Sequence, residues 1–278
     1  MELDYINEGF RKLTNNFYLL VRKKKYWTKN QIKVIKKYLN YKLFYPVPKP
    51  FVELAIFGYN DEDFSFYEKP CPKYIMFNFD YQNKKRQSLR GVTVVSINGT
   101  KNNDKYFTID LIGNYSVKSS IIHQVKKRSS SSVKNGKDMI EWWKTFGRYS
   151  CFKYCKLDAM EDVIGFYWKC GWRFGENFKY YKKKESRISK HVEKLNNINI
   201  KIKNCNVKTI THLDFERDQI LRSYFDKYIE GYYSDVKLNQ YSQYNEDFEN
   251  YNIKSTSHLI HHNMRYHGYP MYLDCSPT

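Results

Sequence analysis

The chain has few cysteines, and they are not arranged as metal ligands usually are. It contains six in 278 residues, and no two of them form a CxxC pair. This density is too low for a disulfide-stapled scaffold, and the spacing argues against a zinc finger or zinc ribbon. We therefore expect buried free thiols in place of a disulfide framework or a metal centre.

The sequence also has little that would direct it to or across a membrane. The sequence begins Met1-Glu2-Leu3-Asp4, with neither a basic nor an apolar region that would direct secretion. The longest apolar stretch, Phe17 to Val21, is too short to cross a bilayer. We expect no membrane span and a soluble intracellular protein of the cytoplasm, or of the host cytoplasm if the gene is viral.

Positive charge and aromatic residues are abundant. The formal net charge is +19, aromatic residues make up 18% of the chain and hydrophobic residues 41%, so a packed core is expected. This charge favours anionic partners such as nucleic acid, a membrane surface or a phosphate-bearing cofactor. Lys, Asn, Ile and Tyr are frequent throughout, as is typical of AT-rich genomes such as those of large DNA viruses and protists. That bias would explain the charge equally well.

The first half of the chain predicts a helix followed by an antiparallel meander. Thr28 can cap a helix with apolar residues at Ile32, Ile35 and Leu39. Alternating patterns and the turn signal Asn98-Gly99 predict hairpin-linked strands. The predicted strands are Phe51–Phe57, Tyr74–Phe79, Gly91–Ile97 and Tyr106–Ile112.

The next block predicts alternating strands and helices, and the remainder is polar. The elements are a strand Ser119–Val125, a loop Lys126–Asn135, a helix from Gly136 to Gly147, a strand Phe152–Leu157, a helix from Asp162 to Gly171, and strands Trp172–Phe174 and Phe178–Tyr181. Gly171 suits the C′ position that ends a helix. Residues 186–278 predict one strand, Ile198–Ile202, one helix, Phe215–Ile229, and a polar loop, Tyr232–Asn252.

The order of these elements, with the run Phe166-Tyr167-Trp168-Lys169-Cys170-Gly171-Trp172, resembles the GNAT-type N-acetyltransferases. In element order the resemblance covers about residues 28–182, and at motif level residues 119–174. It implies an α/β (α+β) fold with a mixed central sheet flanked by helices, and acetyl-CoA as co-substrate. We expect residues 1–185 to form this domain and residues 186–278 to be a polar extension packed on it.

The resemblance also implies where the cofactor would bind. The family's phosphate loop reads Arg/Gln-x-x-Gly-x-Gly/Ala; Gly136 matches its last glycine, while Lys134 and Ser131 stand at the other two positions. A helix start offers unpaired N–H groups to a pyrophosphate. The implied cofactor-binding residues are Gln124, Val125, Lys126, Ser131, Ser132, Lys134, Asn135, Gly136 and Lys137.

For catalysis, the resemblance implies Tyr167 as the general acid that protonates the leaving thiolate. His123, on the predicted strand, is the first candidate for the base, and Glu141, Glu161 and Asp110 are weaker ones. No metal is expected. Four histidines near the C-terminus (His258, His261, His262 and His267) lack acidic or cysteine partners at ligand spacing, which favours a packing role.

Three functions stay open on the sequence alone. The first is an N-acetyltransferase acting on an unidentified primary amine. The second is a GNAT-fold protein that has lost catalysis, because the phosphate loop keeps one of its three characteristic positions. The third is a basic nucleic-acid-binding protein, although no helix-turn-helix, zinc-finger or RNP signature is present.

Overall fold

The computed structural model describes residues 10–13, 16–24, 26–44, 49–57, 72–80, 88–99, 105–114, 131–175, 178–204, 207–229, 232–234 and 266–275. The chain divides into two compact units. The first unit comprises residues 1–156 and 274–278, and the second comprises residues 157–273.

The sheet of the first unit begins with an antiparallel meander. Its strands lie side by side in chain order and are β1 (Phe10–Lys12), β2 (Phe17–Val21), β3 (Tyr74–Asp80), β4 (Ser88–Asn98) and β5 (Tyr106–Asn114). Alternating apolar residues predicted β3, β4 and β5, and these predictions are confirmed. Gly99 follows β4 with a φ of 86°, which is a conformation that glycine adopts readily.

One face of this sheet is covered by α1 (Lys29–Tyr38) and α2 (Lys49–Phe57). Thr28 and Gln31 form the capping box that begins α1, as predicted for Thr28. Buried side chains of both helices share a core with alternate residues of the strands, namely Val34, Ile35, Val52, Ile56, Ile75, Phe77, Phe79, Val92 and Val94. The strand predicted at Phe51–Phe57 is wrong: a short apolar run does not distinguish a buried strand from a buried helix.

The opposite face is covered by α3 (Ser131–Tyr149). The residues between those of the first core point to this side, because successive side chains of a strand alternate in direction. Thr93 on β4 contacts Met139 of α3, with Oγ1 and Sδ 3.6 Å apart. The ring of Trp143 packs against Tyr74 and Phe107, at 6.1 and 5.8 Å between centroids. Helices therefore lie on both faces of the sheet.

Helix α3 joins β5 to the next strand, β6 (Tyr154–Met160), which lies beside β5. Just before the two strands, Lys153 N–H donates to the carbonyl of Lys105 at 2.9 Å. The rings of Tyr106 and Tyr154 stack with centroids 4.7 Å apart. Since the two starts lie together, β5 and β6 run parallel. In the sheet order β6 lies between β5 and β9 (Tyr266–Asp274), and the strand predicted at Ser119–Val125 lies outside the described residues.

The second unit contains the end of β6 and the remaining elements. They are α4 (Ile164–Lys169), β7 (Arg173–Phe174), α5 (Phe178–Asn204), α6 (Val207–Ile220), a π-helical turn Leu221–Phe225, α7 (Asp226–Tyr228), β8 (Tyr232–Ser234) and β9 (Tyr266–Asp274). Strands β7 and β8 pair antiparallel with β9. Helices α5 and α6 pack on each other, as do α4 and α5. The predicted helix Phe215–Ile229 is thereby confirmed as three consecutive helical segments.

Two strand predictions are wrong because their residues belong to α5. Phe178–Tyr181 begins this helix, and Ile198–Ile202 lies near its end. Burial follows a helical spacing, with Ile188, Val192, Leu195 and Ile198 all buried. Ile198, Ile200 and Ile202 alternate with polar residues as in a strand. Ile200 is 49% exposed, however, so these three side chains do not form one buried face.

The predicted α/β class, with a mixed sheet flanked by helices, is confirmed. No helix in the described part of the chain combines the length and the apolarity needed to traverse a bilayer. The predicted division at residue 185 stays a prediction.

Candidate functional site

The cofactor residues predicted around Gly136 lie on a helix that starts earlier than expected. Helix α3 already includes Ser131, so the prediction that 131–135 form a loop and that the helix opens at Gly136 is wrong. Gly136 is buried in the second turn, where its N–H is committed to the helix. The N–H groups that lack an acceptor within the helix are those of its first turn, which begins at Ser131.

The other predicted cofactor residues are placed only in part. Ser131, Ser132, Lys134 and Asn135 belong to the first turns of α3, and the exposed Lys137 follows Gly136. The side chains of residues 131–135 lie outside the described residues, as do the whole of Gln124, Val125 and Lys126, and the predicted base His123. All of these assignments stay predictions.

Tyr167 lies in the last turn of α4, and its surroundings explain the motif. Trp172 N–H donates to the Tyr167 carbonyl at 3.1 Å, and Gly171 N–H donates to the Trp168 carbonyl at 3.0 Å. This hydrogen-bond pair, with Gly171 at a φ of 91°, is a Schellman motif, as the placement of Gly171 at C′ predicted. The rings of Tyr167 and Trp172 meet edge to face, 5.9 Å between centroids, which is the apolar contact that accompanies such a cap. The Tyr-x-x-x-Gly-aromatic spacing therefore ends this helix.

Arg173 completes the cap of α4 and ties it to α5. Its Nη1 donates to the carbonyls of Trp168 and Trp172 at 3.1 and 2.9 Å. Its guanidinium also stacks over the Trp168 ring, 4.3 Å from the centroid, and pairs with Glu185 of α5 at 2.7 Å. A cation at the carbonyl end of a helix also offsets the negative end of the helix dipole. Tyr167 is thus held in a fixed position and is only 5% exposed.

A buried polar cluster in the second unit brings together residues that are distant in sequence. Glu161 follows β6 directly, and its backbone carbonyl accepts from Asn199 Nδ2 of α5 at 2.9 Å. On α6, Arg217 Nη2 lies 3.2 Å from Asp214 Oδ1. Buried atoms without a hydrogen-bond partner among the described residues include Glu161 Oε2, Asn199 Oδ1 and Arg217 Nε. Below, we call Glu161, Asn199, Asp214 and Arg217 the buried polar cluster.

The cluster changes the acidity of Glu161. Burial raises the pKa of its carboxyl, nearby Arg217 offsets part of that rise, and Asp162 and Asp218 add to it. A carboxylate with a raised pKa accepts a proton more readily at neutral pH, which suits a general base. The sequence alone favours His123 over Glu161 as the base, because the burial that raises the pKa of Glu161 comes from segments that are distant in sequence.

The other two weaker candidates for the base are engaged elsewhere. Glu141 pairs with Lys144 one turn along α3, at 3.7 Å. Asp110 on β5 accepts from Ser96 Oγ of β4 at 2.5 Å. Both lie in the first unit. Glu161 is therefore the candidate whose surroundings most resemble those of a catalytic carboxyl.

The thiols behave as packed apolar groups. Cys155, Cys170 and Cys275 are buried and free, as expected, whereas Cys151 is exposed. Burial raises the pKa of Cys275 to about 12 and also raises that of Cys155, and a thiol that stays protonated is a poor nucleophile and a poor metal ligand. In the described ranges no three His, Cys, Asp or Glu side chains are grouped as metal ligands. His258, His261 and His262 lie outside those ranges, so the expectation of no metal stays a prediction.

Comparison with known proteins gives no family assignment. No family model and no curated protein matches the sequence. The crystal structure of Tetrahymena GCN5 aligns with a TM-score of 0.31 and 10% identity over 54% of this chain and 76% of the other. The catalytic domain of Tetrahymena GCN5 histone acetyltransferase, in complex with coenzyme A, aligns with a TM-score of 0.31 and 14% identity over 59% and 79%. These scores are too low to support an inference about this chain.

Proposed function

We propose that the protein is an N-acetyltransferase that moves an acetyl group from acetyl-CoA to a primary amine. The observation that carries the proposal is the succession of β5, α3, β6 and α4, in which β5 and β6 are parallel neighbours and α4 ends in the Tyr167 motif. The sequence resemblance implies a strand, a helix, a parallel strand and a helix that ends in this motif, with Ser119–Val125 as the first strand. In the structure the parallel neighbour of β6 is β5, and the strand Ser119–Val125 stays a prediction.

Each step of the reaction has a candidate group. The N–H groups at the start of α3, with Ser131, Ser132 and Lys134, would bind the pyrophosphate. A base, Glu161 or His123, would take a proton from the ammonium, and the amine nitrogen would then attack the thioester carbonyl carbon. When the tetrahedral intermediate collapses, the carbon–sulfur bond breaks and Tyr167 would protonate the departing thiolate.

The runner-up is a GNAT-like protein without catalysis. It is favoured by a specific observation, because helix capping accounts for Tyr167, Gly171 and Trp172 without any chemistry. The two proposals differ in the role of the Tyr167 hydroxyl, which capping does not require.

The test begins with binding and proceeds to turnover. We expect acetyl-CoA to raise the melting temperature more than ADP does, since ADP lacks the pantetheine arm. Acetyl transfer from labelled acetyl-CoA should then be measured on a panel of primary amines. Tyr167→Phe keeps the ring and its contact with Trp172, so turnover should fall roughly 10²–10⁴-fold with little change in cofactor affinity.

The matched control is Tyr149→Phe, because Tyr149 is 86% exposed at the end of α3. It should leave turnover unchanged. Full activity of Tyr167→Phe would refute the assigned acid, and cofactor binding without acetylation of any amine would favour the runner-up. If acetyl-CoA does not bind, the proposed acetyltransferase activity is refuted.

A further inference from the structure

A line of basic side chains runs along one face of α5. Lys184, Arg187, His191 and Lys194 are spaced i, i+3, i+7 and i+10, which aligns them on an α-helix. Lys184, Arg187 and Lys194 are exposed, and His191 is half-buried. At about 1.5 Å of rise per residue the line extends over roughly 15 Å. We call these four residues the basic row.

Aromatic rings lie directly beside the basic row. The His191 and Tyr224 rings stack almost in parallel, 3.6 Å between centroids. The Arg187 guanidinium lies 5.9 Å from the centroid of Tyr224 and 5.6 Å from that of Tyr228. Tyr228 is 52% exposed and has Lys227 Nζ 5.4 Å from its ring centroid. An exposed ring thus lies within about 6 Å of two cations.

The positive charge of this surface is not neutralised by α5 itself. The helix contains two acidic residues, of which Glu185 pairs with Arg173 at 2.7 Å. The other, Glu193, lies nine residues after Lys184, which puts it on the opposite side of the helix. Burial lowers the pKa of His191, and the nearby cations Lys194 and Arg187 lower it further.

We propose that the basic row and Tyr228 form a binding surface for single-stranded nucleic acid, with phosphates along the row and an unpaired base stacked on the Tyr228 ring. Lys and Arg supply the charge that tracks a sugar–phosphate backbone, and aromatic rings stack on bases of any sequence. A duplex keeps its bases stacked on each other and so gains nothing from the ring.

A membrane surface fits these observations less well. A helix that lies on a bilayer inserts an apolar face between the lipids. The apolar face of α5, with Ile188, Val192 and Leu195, is already buried within the second unit. Among the side chains of α5 that the structure describes from residue 184 to residue 202, the exposed ones therefore offer charge without an apolar face that could insert.

The experiment measures the affinity of the full chain for a short fluorescein-labelled oligouridylate by fluorescence anisotropy. The double variant K190E/K194E reverses Lys194 of the row and the neighbouring exposed Lys190. If each lysine contacts one phosphate, affinity should fall roughly 25-fold at about 0.1 M salt, and the slope of log K against log salt should shrink by ~1.4. Tyr228→Ala should weaken binding roughly 5- to 100-fold, while Tyr228→Phe keeps it.

The matched control is K29E/K33E, which makes the same charge change at the same spacing on exposed positions of α1. It should change affinity less than about twofold, and circular dichroism should show that all variants are folded. The proposal is overturned if K29E/K33E weakens binding as much as K190E/K194E, since the attraction is then diffuse. It is also overturned if a duplex of equal length or phosphatidylserine vesicles bind as tightly as the oligouridylate, or if Tyr228→Ala binds normally.

Discussion

Replacing Arg217 by methionine is expected to destabilise the protein strongly at neutral pH, because it removes the cation of the buried polar cluster. Arg217 and Asp214 are only 13% and 10% exposed, so solvent does little to screen them. Methionine keeps much of the length and packing of the side chain. The change removes the positive charge beside the buried Asp214 and the half-buried Glu161. Breaking a buried ion pair in this way costs about 3–5 kcal/mol, out of a total stability of about 5–15 kcal/mol.

The sign of the pH dependence follows from Glu161. The pKa of Glu161 is raised in the folded protein, so ionisation of its carboxyl lowers the free energy of unfolding. This loss of stability begins near the unfolded-state pKa and increases as the pH rises through the folded-state pKa. Arg217 offsets part of this cost. The loss of unfolding free energy in Arg217→Met should therefore be largest at neutral pH. It should become smaller as the pH falls and Glu161 becomes protonated. Glu161→Gln, by contrast, should gain stability relative to the wild type as pH rises.

The measurement is urea unfolding followed by circular dichroism at several pH values between about 4 and 8, a range that brackets the ordinary glutamate pKa. The double variant E161Q/R217M should lose less unfolding free energy than Arg217→Met alone, because the group at position 161 is then neutral and does not need the Arg217 charge. The reasoning is refuted if Arg217→Met costs less than about 1 kcal/mol at neutral pH, the scale of an exposed pair. A deficit independent of pH would refute the role of Glu161.

Three further predictions concern packing and reactivity. Gly165→Ala would place its Cβ 2.6 Å from Asn196 Oδ1, so we expect a loss of about 1–3 kcal/mol in thermal or urea unfolding, partly restored by Asn196→Gly. Gly171→Ala has room for its Cβ but keeps a φ of 91°, so its cost should be the backbone strain alone, about 1–2 kcal/mol; an unchanged melting temperature would contradict the capping role. Iodoacetamide should label the exposed Cys151 in the native protein well before Cys275, as read by mass spectrometry, and equal rates would contradict the burial of Cys275.

Elements governed by local rules could be predicted from the sequence. The strands β3, β4 and β5 follow from alternation, and the end of α4 follows from Gly171, the residue that adopts a positive φ there. Both signals lie within a few residues of the feature that they specify. The cap of α1 by Thr28 is a third case.

Other elements were decided by tertiary burial or by weak propensities. Helix α2 has a short apolar run, and the choice between strand and helix depends on what covers it. The run Ile198–Ile202 alternates like a strand, but the burial of Val192, Leu195 and Ile198 sets a helical period. The composition of residues 131–135 predicts a loop because Ser, Lys and Asn are common in loops. These residues are helical, since lysine forms helices well and serine opposes them only slightly.

Only the part of the candidate site that lies within a single sequence motif could be predicted from the sequence. Tyr167 stands in such a motif. Glu161 gains its raised pKa from burial and from nearby Asp162 and Asp218, and no pattern around Glu161 indicates that Asp218 of α6 will lie near it. Likewise, the basic row on α5 can be counted along the sequence, whereas its pairing with Tyr224 and Tyr228 depends on how two distant segments pack.

The discontinuous make-up of the first unit has a consequence for its assembly during synthesis. The carbonyl of Lys153 accepts a hydrogen bond from Cys275 N–H, and both residues belong to this unit, although the whole second unit lies between them in the chain. A ribosome adds about 5–20 residues per second, so several seconds pass between the synthesis of β6 and the synthesis of Cys275. Until then its backbone groups can pair with another extended segment. We expect ribosome-bound chains that stop before residue 266 to aggregate or recruit chaperones more than chains that extend past residue 275.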